Sequence, residues 1–453
     1  MWLARIARSS SFATTSASAS ARRAFATVEK PFVPEEYEKK YLVGTYNSDG
    51  VRGQSNLMFT HGNGQYLYDT EGNQYLDFCA GIAVSGLGHN DPDWHKAVLE
   101  SAKGVCHTSN LFHTRAPLEL AKLLVDNSCF DKVFFCNSGT EANEGAYKFA
   151  RLYANRITQG TFPTLVFLQH TRPLEGKKHE FISFKGGFHG RTAAALSLTY
   201  KPAIREAFMP LVPGIHHAEF NNIEDVKRHI SDRTAGVFIE PIQGEGGVNP
   251  ASLEFMRELR RLCDKHNALL IVDEVQCGLG RTGKLFAHEN YEVTPDIMTL
   301  AKPLAGGLPI GAVLSVNKVA ASVPTGAHGT TFGGNPLIAG VALSVVEKIM
   351  APSFLANVQK HGKLLAKGLR NLQDKYPDKV TQVRVPPGPG GLFIGFETAK
   401  PVGPLVKYAL SKGVMIISAG EKVVRMCPPL VVTEKDINLV VQTIEDAFNE
   451  DIL

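Results

Sequence analysis

The chain has 453 residues, of which 44% are hydrophobic and 20% charged, a composition typical of a globular protein. This length is too great for one compact core, so we expect a large domain and a smaller one. A net charge of +4 argues against a nucleic-acid partner, and no apolar run approaches the roughly 18 residues of a membrane span. Seven cysteines, an odd number without a CxxC pair, predict a reduced compartment and no structural zinc.

The first 27 residues differ in composition from the rest of the chain. They hold four arginines among many serine, alanine and threonine residues, and the first acid is Glu29. The arginines and serines interrupt the apolar stretch that a secretory signal needs, whereas an Arg-rich, Ser-rich and acid-poor segment is typical of a transit peptide. Residues 1–27 are therefore predicted to be a mitochondrial transit peptide, removed near residues 23–27, with a disordered tail as the alternative. The mature protein is expected in the mitochondrial matrix.

Residues 28–80 are predicted to form an N-terminal arm that ends in a β-hairpin. The stretch 31–65 is polar and contains several glycines, which is typical of an irregular arm. Aromatic and apolar residues over 65–69 and 74–78 flank the turn sequence Thr-Glu-Gly-Asn at 70–73. Two such strands, joined by a short turn that contains glycine, predict a hairpin.

Strand-like and helix-like patterns alternate from about residue 115 to residue 340. This alternation predicts a parallel sheet with crossover helices. A helix is predicted over 252–267, and a long helical stretch from about residue 341 is followed by a Pro- and Gly-rich loop at 386–391. We therefore expect an α/β large domain over 81–340 and a smaller C-terminal domain over 341–453. The predicted strands include 133–136, 181–184 and 236–240, together with the two runs described next.

Two apolar runs end in ionisable residues that could hold a cofactor. The run at 269–272 is followed by Asp273, and the run at 297–301 is followed by Lys302. In open α/β sheets, ligands bind beyond the carboxyl ends of the strands, where both groups are expected to lie. Pyridoxal phosphate needs these two partners, because an acid keeps its ring nitrogen protonated and a lysine amine binds its aldehyde. Taken singly, Asp273 could instead cap a helix and Lys302 could be a solvated surface residue.

Glycine-rich segments near the ends of other strands could bind the rest of such a cofactor. The segment 137–140, Asn-Ser-Gly-Thr, lies at a predicted strand-to-helix junction, where free N–H groups bind phosphate, although the same sequence is also an ordinary helix cap. The segment 188–192, Phe-His-Gly-Arg-Thr, offers a ring that can stack on a pyridine and an arginine that can bind a carboxylate. Its His189 is interpreted as a structural histidine. The segments 240–247 and 329–335 add an acid, hydroxyl groups and glycines.

These segments, in this order, resemble the class III pyridoxal-phosphate aminotransferases of fold type I, from about residue 40 to the end of the chain. The combination carries the resemblance, because single motifs of this kind are weak signals. The resemblance implies the α/β fold of the PLP-dependent transferases of fold type I, with a mostly parallel sheet in the large domain and a smaller C-terminal α+β domain. The motifs are NSGTEAN, FHGRT, EPIQGEGG, IVDEVQCGLGRTGKLFAHE, AKPLAGGLPIGA and GTTFGGN.

The resemblance implies a role for each matching residue around the cofactor. Lys302 would carry pyridoxal phosphate and act as the catalytic acid and base, and Asp273 would pair with the ring nitrogen. Thr331 would reach across to the phosphate of the other subunit, so the active form would be a homodimer. No metal is implied. The other expected cofactor contacts are Gly139 and Thr140 at the phosphate, Phe188 at the ring face and Gln276 at the phenolic oxygen.

The same resemblance implies how the substrates would bind. Arg191 and Arg425 match arginines that hold substrate carboxylates, and Glu245 matches an acid that pairs with Arg425 and masks it between half-reactions. Ile82 stands where ornithine δ-aminotransferases typically carry a tyrosine, and an apolar residue suits an amide-blocked α-nitrogen. The chain is therefore most similar to the acetylornithine branch of the class, particularly to its mitochondrial form in fungal arginine biosynthesis.

This branch implies a ping-pong reaction that converts N2-acetylornithine and 2-oxoglutarate into N-acetylglutamate 5-semialdehyde and glutamate, without a nucleic-acid or membrane partner. Ornithine and other ω-amino acids, such as 4-aminobutyrate, are the alternative amino donors. Two other classes are also open: a cofactor-binding scaffold without activity, and an aminomutase or decarboxylase that needs no oxo-acid acceptor. The presence of both Lys302 and Asp273 argues against the scaffold.

Some segments depart from the family pattern. The loop at 46–53 is longer than usual, which leaves the position of Tyr46 near the substrate open. Residues 88–92, Gly-His-Asn-Asp-Pro, replace the commoner pattern Gly-His-x-His-Pro. The first histidine of the pattern, His89, is therefore present and the second is not, and His89 is assigned no role. Residues 168–179 are interpreted as a solvated insertion. Pro303 is expected to stiffen the backbone at the cofactor lysine without a change in chemistry.

Overall fold

The computed structural model describes residues 33–45, 57–159 and 178–453. The predicted transit peptide, the long loop after residue 45 and most of the predicted insertion lie outside these residues. The chain divides into two units after Met58, and the residues assigned above to cofactor or substrate contacts all belong to the unit Phe59–Leu453.

The N-terminal arm contains regular structure, so the prediction of an irregular arm over 31–65 is wrong in two places. A helix spans Pro34–Tyr41 and a strand spans Phe59–Asn63. The helix has a proline near its N-terminus, acids in its first turn and lysines in its last, all of which favour a helix in that direction. The strand pairs antiparallel with strand Tyr66–Asp69, and this pairing supplies the hydrogen bonds that its composition does not predict.

The strands of the described chain form four sheets. In chain order they are β1 (Phe59–Asn63), β2 (Tyr66–Asp69), β3 (Gln74–Asp77), β4 (Lys132–Cys136), β5 (Glu180–Phe184), β6 (Ile215–Ala218), β7 (Thr234–Ile239), β8 (Ile242–Gln243), β9 (Asn249–Pro250), β10 (Leu269–Asp273), β11 (Ile297–Leu300), β12 (Gly311–Ser315), β13 (Val380–Arg384), β14 (Ile394–Thr398), β15 (Val414–Met415), β16 (Ile417–Ser418) and β17 (Val423–Met426). The largest sheet has seven strands in the order β4-β12-β11-β10-β7-β5-β6. The others have the orders β1-β2-β3-β15, β13-β14-β17-β16 and β8-β9. The predicted hairpin is observed as β2 and β3, which pair antiparallel.

Helices of very different length connect these strands. In the described part of the chain they are Pro34–Tyr41, Ala80–Ala83, Pro92–Ala102, Arg115–Asp126, Gly139–Gln159, Ala193–Leu198, Pro202–Arg205, Ile223–His229, Leu253–Lys265, Asn317–Ala320, Pro336–Met350, Pro352–Lys375, Gly403–Ser411 and Glu434–Asn449, with 3-10 turns at Glu206–Phe208, Ala287–Asn290 and Lys302–Ala305. None of these helices is by itself both long and apolar enough to cross a membrane. Only the two helices that meet at Ala351, bent by 64° relative to each other, have that length and composition together.

The seven-stranded sheet is mostly parallel, as the alternating sequence pattern predicts. β12 runs antiparallel to both of its neighbours, β4 and β11, whereas the pairs from β11 across to β6 are all parallel. β5, β7, β10, β11 and β12 are buried along their whole length. Burial on both faces explains why these strands have nearly continuous apolar sequences.

Side chains of β10 alternate between the two faces of this sheet. Leu269 and Ile271 pack in one core together with residues of helix Gly139–Gln159, whereas Leu270 and Val272 pack in another. Successive residues of a strand point to opposite faces, so the acids that follow Val272 continue the alternation. The two faces of the sheet therefore surround these acids with different side chains.

The helix predicted over 252–267 is observed at Leu253–Lys265. The Ser252 hydroxyl caps it by accepting a hydrogen bond from the N–H of Phe255 at 3.1 Å. Its first residue, Leu253, is exposed, and the residues that pack against the sheet follow at helical spacing. The buried residues are Phe255, Met256, Leu259, Leu262 and Cys263.

A second core lies in the C-terminal part of the chain. Helices Pro352–Lys375, Gly403–Ser411 and Glu434–Asn449 pack around it with the sheet β13-β14-β17-β16. Leu76 of β3 also belongs to this core, so the hairpin is tied to the C-terminal elements. The predicted division of the chain between residues 340 and 341 stays a prediction.

The prediction that the insertion at 168–179 is solvated is wrong at Lys178. The Lys178 side chain is buried, and its ammonium donates hydrogen bonds to the carbonyl oxygens of Asp232 and His266 at 2.9 and 2.8 Å. Burial lowers the pKa of Lys178. The two carbonyl oxygens replace the water that a surface lysine would keep, which offsets part of the cost of burial.

Candidate active site

Asp273 ends β10, and its carboxylate is buried and held on both oxygens. Oδ2 accepts a hydrogen bond from Asn143 Nδ2 at 2.7 Å and lies 2.8 Å from His189 Nδ1. Oδ1 accepts a hydrogen bond from the N–H of Val275 at 3.0 Å. Donors from three different segments leave this carboxylate one orientation at the carboxyl edge of the sheet.

The two side chains that hold Asp273 are themselves held by other segments. Asn143 also donates to the carbonyl oxygen of His189 at 2.7 Å and accepts a hydrogen bond from Thr299 Oγ1 at 2.8 Å. The backbone N–H of His189 donates to Thr199 Oγ1 at 2.8 Å. Burial lowers the pKa of His189, but the hydrogen bond to Asp273 and the charge of that carboxylate outweigh it, and the net shift is upward. Such outer contacts fix the geometry of the group that they surround.

Asn143 and His189 have no function assigned from the sequence, and the structure makes both of them positioning residues for Asp273. The signal for His189 was its place in the FHGRT motif directly after β5. In the sheet, β5 lies next to β7 and β7 lies next to β10, so a residue that follows β5 can lie close to the acid at the end of β10. The signal for Asn143 was its place near the N-terminus of a helix that begins at the same edge. Neither signal says which acid the side chain contacts.

Lys302 lies at the same edge of the sheet as Asp273. β11 pairs in parallel with β10, with Asp273 opposite Thr299, and Lys302 begins a 3-10 turn three residues later. Lys302 is partly buried, which excludes the alternative of a fully solvated surface lysine. Burial and the charge of Arg425 lower the pKa of Lys302, while Glu245 opposes this shift. The neutral amine, which is the nucleophilic and basic form, is therefore more accessible near neutral pH.

The predicted phosphate loop forms the junction between β4 and helix Gly139–Gln159. A side chain at Gly139 would place its Cβ 2.6 Å from Val275 Cγ1, so glycine is needed for this approach to the end of β10. The helix begins at that point, and the free N–H groups of a helix N-terminus are a common setting for a phosphate. The junction therefore places a helix N-terminus beside the end of β10, and phosphate binding by Gly139 and Thr140 stays a prediction.

Thr140 joins this loop to the FHGRT segment. Its hydroxyl oxygen accepts hydrogen bonds from the N–H groups of Arg191 and Thr192 at 2.9 and 3.1 Å. Gly190 has a φ of 132°, and a Cβ at that position would collide with the Thr140 hydroxyl. The structure thus brings together two motifs that lie about 50 residues apart in the chain, as a common site requires.

Glu240 follows β7 and connects two of the predicted segments. One carboxylate oxygen accepts a hydrogen bond from the N–H of Phe188 at 2.9 Å, and the other accepts one from the N–H of Gly244 at 3.4 Å. Burial raises the pKa of Glu240 to about 7. Glu240 therefore holds the segment that carries the Phe188 ring against the loop that carries Glu245.

Arg425, in β17, reaches two other predicted site residues. Its Nη1 donates to Glu245 Oε1 and to Gln276 Oε1, each at 3.0 Å. Only 3% of Arg425 is exposed, and its Nε has no hydrogen-bond partner among the residues that the structure describes. Burial alone would raise the pKa of Glu245, but the charge of Arg425 outweighs it, and the net shift is downward. Glu245 is therefore the charged partner of a buried guanidinium.

The remaining predicted residues have looser surroundings. Because Arg425 uses the carbonyl oxygen of Gln276, the Gln276 amide NH2 is the group that can donate to a phenolic oxygen. Arg191 is exposed, with its guanidinium carbon 5.7 Å from the centroid of the Phe188 ring. Ile82 lies in a left-handed turn with φ 63° and ψ 60°, a strained conformation for a β-branched residue.

These residues fit pyridoxal phosphate. Asp273 offers a fixed carboxylate to a protonated ring nitrogen, Lys302 offers a partly buried amine, and the N-terminus of helix Gly139–Gln159 offers donors to a phosphate. All three lie where β4, β10 and β11 end, since Gly139 approaches both Val275 and Ala301. The donor set is the one that the cofactor needs.

Comparison with known proteins agrees with this chemistry. Residues 49–448 match the aminotransferase class-III family. A mitochondrial acetylornithine aminotransferase of Alnus glutinosa is 48% identical over 401 residues, which cover 88% of this chain and 83% of that protein. The N-acetylornithine aminotransferase structure of Stenotrophomonas maltophilia K279a is 36% identical, with a TM-score of 0.73, and covers 89% of this chain and 98% of its own.

A second solved structure bears on the cofactor. The ornithine aminotransferase of Toxoplasma gondii, whose active site holds PLP at partial occupancy, is 27% identical, with a TM-score of 0.84 over 96% of this chain and 99% of its own. The predictions of an α/β fold of type I, of an enzyme and of pyridoxal phosphate as cofactor are confirmed. This chain belongs to the class III family of pyridoxal-phosphate-dependent aminotransferases.

Proposed function

We propose that this enzyme transfers the terminal amino group of N2-acetylornithine to 2-oxoglutarate and so forms N-acetylglutamate 5-semialdehyde and glutamate. The similarity to acetylornithine aminotransferases supports this substrate. The structural observation that carries the proposal is the Arg425–Glu245 pair near Lys302, in which an acid covers a buried carboxylate-binding cation. Of the two amino donors, glutamate has a carboxylate beside its reacting carbon and N2-acetylornithine does not. An arginine that an acid can cover can bind the carboxylate of the first donor and stay paired when the second is bound.

The residues of this chain position the cofactor and the substrate, and they transfer the proton that moves in the reaction. Pyridoxal phosphate, when bound, supplies a conjugated ring that accepts the electron pair of the C–H bond that is cleaved. Asp273, held by Asn143 and His189, keeps a negative charge in one place, so it does not reorganise during the reaction. Lys302 Nζ takes up and returns the proton that moves in transamination, and its lowered pKa suits it to act as a base.

The Arg425–Glu245 pair distinguishes the two half-reactions. Glutamate carries a carboxylate beside the reacting carbon, so its binding requires the positive charge of Arg425 and the release of Glu245. N2-acetylornithine has no carboxylate at its reacting end, and Glu245 then stays on Arg425, which leaves no buried charge unpaired. The Glu245 side chain is 27% exposed and can move toward solvent, while Gln276 continues to hold Arg425.

Ile82 bears on the choice between acetylated and free ornithine. The fold does not make this choice, because the ornithine aminotransferase has a higher TM-score to this chain than the N-acetylornithine aminotransferase. An isoleucine offers no hydrogen-bond partner to a free α-ammonium, whose burial would then be costly, whereas it can pack beside an acetylated nitrogen. Ornithine is therefore the less favoured donor.

A half-reaction on the purified protein without residues 1–27 tests the assignment. Each amino donor is added without an oxo acid, and the visible absorbance of the cofactor is followed. We expect N2-acetylornithine to convert the cofactor at a concentration about a hundredfold lower than ornithine. A preference for ornithine would move the enzyme to the δ-aminotransferase branch, and no conversion by either donor would contradict both assignments.

We also propose that the active form is a homodimer in which Thr331 reaches the cofactor of the partner subunit. Thr331 is exposed in this chain and makes no hydrogen bond to another described residue. Asn110 Nδ2 donates to the carbonyl oxygen of Thr330 at 3.2 Å, which joins two exposed segments into one surface. Large apolar side chains on one surface are typical of an interface. They are Leu111, Phe112 and Phe332, which are 84%, 71% and 60% exposed.

Mixing two defective variants tests this dimer. Thr331→Ala subunits and Lys302→Ala subunits should each form dimers of low activity, because the first lack a cofactor contact and the second lack the cofactor lysine. In a mixed dimer, one site combines Lys302 of one chain with Thr331 of the other. Activity should therefore return on mixing after dissociation and reassembly, and a mixture as inactive as its components would contradict the shared site.

We propose a mitochondrial location on two grounds. Residues 1–27 are Arg-rich, Ser-rich and acid-poor, and the similar protein of Alnus glutinosa is mitochondrial. Fusion of residues 1–27 to a fluorescent protein should direct it to the matrix, where the segment should be removed. A fusion that stays in the cytosol would contradict the proposal.

A further inference from the structure

A second group of reactive side chains lies outside the active site. Cys129 follows helix Arg115–Asp126 and its thiol is exposed. Cys129 Sγ lies 3.7 Å from His288 Nε2, and His288 Nδ1 lies 2.7 Å from Glu274 Oε1. The three side chains therefore follow one another as nucleophile, histidine and acid, with the acid orienting the histidine. Enzymes use this arrangement to activate cysteine and serine nucleophiles.

Glu274 is held rigidly at the inner end of this group. It is 1% exposed, and its two carboxylate oxygens accept hydrogen bonds from the N–H groups of Ala287 and His288 at 2.5 and 2.7 Å. The same oxygen that accepts from the His288 N–H also faces the His288 imidazole. The carboxylate therefore keeps its place whether or not the imidazole moves.

The His288 ring is fixed between two aromatic side chains. The Phe286 ring stacks at 5.9 Å between centroids, with an angle of 13° between the planes, and the Phe130 ring meets it edge-on at 6.0 Å. With Nδ1 directed at Glu274, this packing leaves Nε2 directed at the sulfur of Cys129. The thiol thus lies at the open end of a buried and ordered group.

The charge of His288 determines what the sulfur experiences. Burial alone would lower the pKa of His288, but the Glu274 carboxylate and the contact with Cys129 outweigh it and raise the pKa to about 10. His288 is therefore a cation at neutral pH, both of its ring nitrogens carry protons, and Nε2 donates to the sulfur. The sulfur is anionic when it attacks a disulfide, and the Nε2–H of His288, 3.7 Å away, is placed to hold that charge.

We propose that Cys129 is a modification site that exchanges with small-molecule disulfides. The Cys129 thiol gives its proton to solvent, and its sulfur attacks one sulfur of the disulfide and forms a mixed disulfide, while the other half leaves as a thiolate and takes a proton from solvent. Cys129 is oxidised, the attacking disulfide is reduced, and no other oxidant is needed. His288 stays beside the sulfur throughout, and its Nε2–H holds the negative charge of the sulfur during the attack.

The other cysteines of the chain do not share these properties. Burial raises the pKa of each of the five buried thiols and also removes them from reagents in solution. Cys106 is exposed like Cys129, but it makes no hydrogen bond to a residue in the described ranges. The buried thiols are Cys79, Cys136, Cys263, Cys277 and Cys427.

The test uses the holoenzyme with Cys106→Ser, which leaves Cys129 as the exposed thiol, and a dipyridyl disulfide as the probe. Mass spectrometry of the Cys129 peptide gives the rate of modification in the native protein. We compare this rate with that of a second holoenzyme that also carries His288→Asn. Asparagine keeps an N–H donor for Glu274 near the position of Nδ1 but has no atom at the position of Nε2. The rate should fall about tenfold in this variant.

Equal rates in the two proteins would overturn the proposal, as would a native enzyme in which Cys129 is not modified. Transamination activity reports whether the His288→Asn enzyme is folded. If it is not, the same peptide is measured in the native and the urea-unfolded Cys106→Ser protein. The thiol has no neighbouring imidazole in the unfolded chain, so its native rate should still be the higher, and a lower native rate would refute the activation.

Discussion

Asp273 and Glu274 are consecutive acids, each with a buried histidine partner, yet they belong to different sites. Asp273 is held by Asn143 and His189 at the edge where Lys302 begins its turn, whereas Glu274 is held by backbone N–H groups and the imidazole of His288. Successive residues along an extended chain point to opposite faces, so one step moves the acid from the cofactor edge to another layer. The face of the sheet, and not the pair of residue types, determines the function of each acid.

The largest expected effect separates the two acids directly. Asp273→Asn removes the charge but keeps the shape, and kcat should fall about a thousandfold, because a fixed charge at a reacting group is lost. Glu274→Gln makes the same change one residue later and should leave kcat within about threefold. Steady-state kinetics at saturating cofactor compare the two variants, and similar losses of kcat would break the distinction between the faces.

The next effect concerns the two histidines. His189→Phe removes the donor to Asp273 and should lower kcat about tenfold to a hundredfold, with a smaller change in KM for the amino donor. His189→Asn keeps an N–H donor near the position of Nδ1 and should restore part of this loss. His288→Asn is the matched change on the other face and should leave kcat nearly unchanged. If the Asn and Phe variants at position 189 were equally impaired, His189 would not act through its hydrogen bond to Asp273.

A third acid sharpens the comparison, because Glu245 is paired with Arg425, the cation that we propose binds substrate carboxylates. Glu245→Ala uncovers Arg425, so the half-reaction with glutamate should gain relative to that with N2-acetylornithine, by about tenfold in the ratio of their rate constants. Lys201, whose Nζ lies 4.0 Å from Glu245 Oε2, provides the control, and Lys201→Ala should keep the ratio. Single-turnover measurements of both half-reactions decide the point, and an unchanged ratio in the Glu245 variant would count against the masking role.

The smallest expected effect is on stability and pH. The folded state raises the pKa of His288 from 6.5 to about 10, so the folded state binds this proton more tightly than the unfolded chain. The resulting stability is fully present below pH 6.5 and is lost as the pH rises toward about 10. The difference in free energy of unfolding between the wild type and His288→Asn, about 1–3 kcal/mol, should therefore shrink over this range. Urea unfolding of both proteins at several pH values measures it, and a constant difference would contradict the ionised pair.

Much of the frame followed from local patterns. The hairpin of β2 and β3, the helix Leu253–Lys265 and the strands that precede Asp273 and Lys302 all lie near their predicted positions. Apolar periodicity, turn residues and caps act over a few residues, and for that reason they can be recognised in one sequence. The strand β1 was missed because its pairing with β2, and not its own composition, makes it a strand.

The partners of the acids did not follow from local patterns. Asn143 lies 130 residues and His189 lies 84 residues before Asp273 in the chain. Lys178 was predicted to be solvated, because nothing near it in the sequence shows the two carbonyl oxygens that receive its ammonium. Such contacts depend on which segments the fold brings together.

The sequence by itself determined the fold class and the cofactor, and it predicted that Asp273 and Lys302 contact that cofactor. Asp273 and Lys302 follow apolar strands, and parallel strands end at one edge, so the order of residues in the chain is enough to infer that the two lie close together. The tertiary structure alone decided which histidine serves which acid. The sheet order β4-β12-β11-β10-β7-β5-β6 differs from the order of the strands in the chain. Each acid therefore contacts the side chains that pack on its own face of the sheet, and these come from distant parts of the chain.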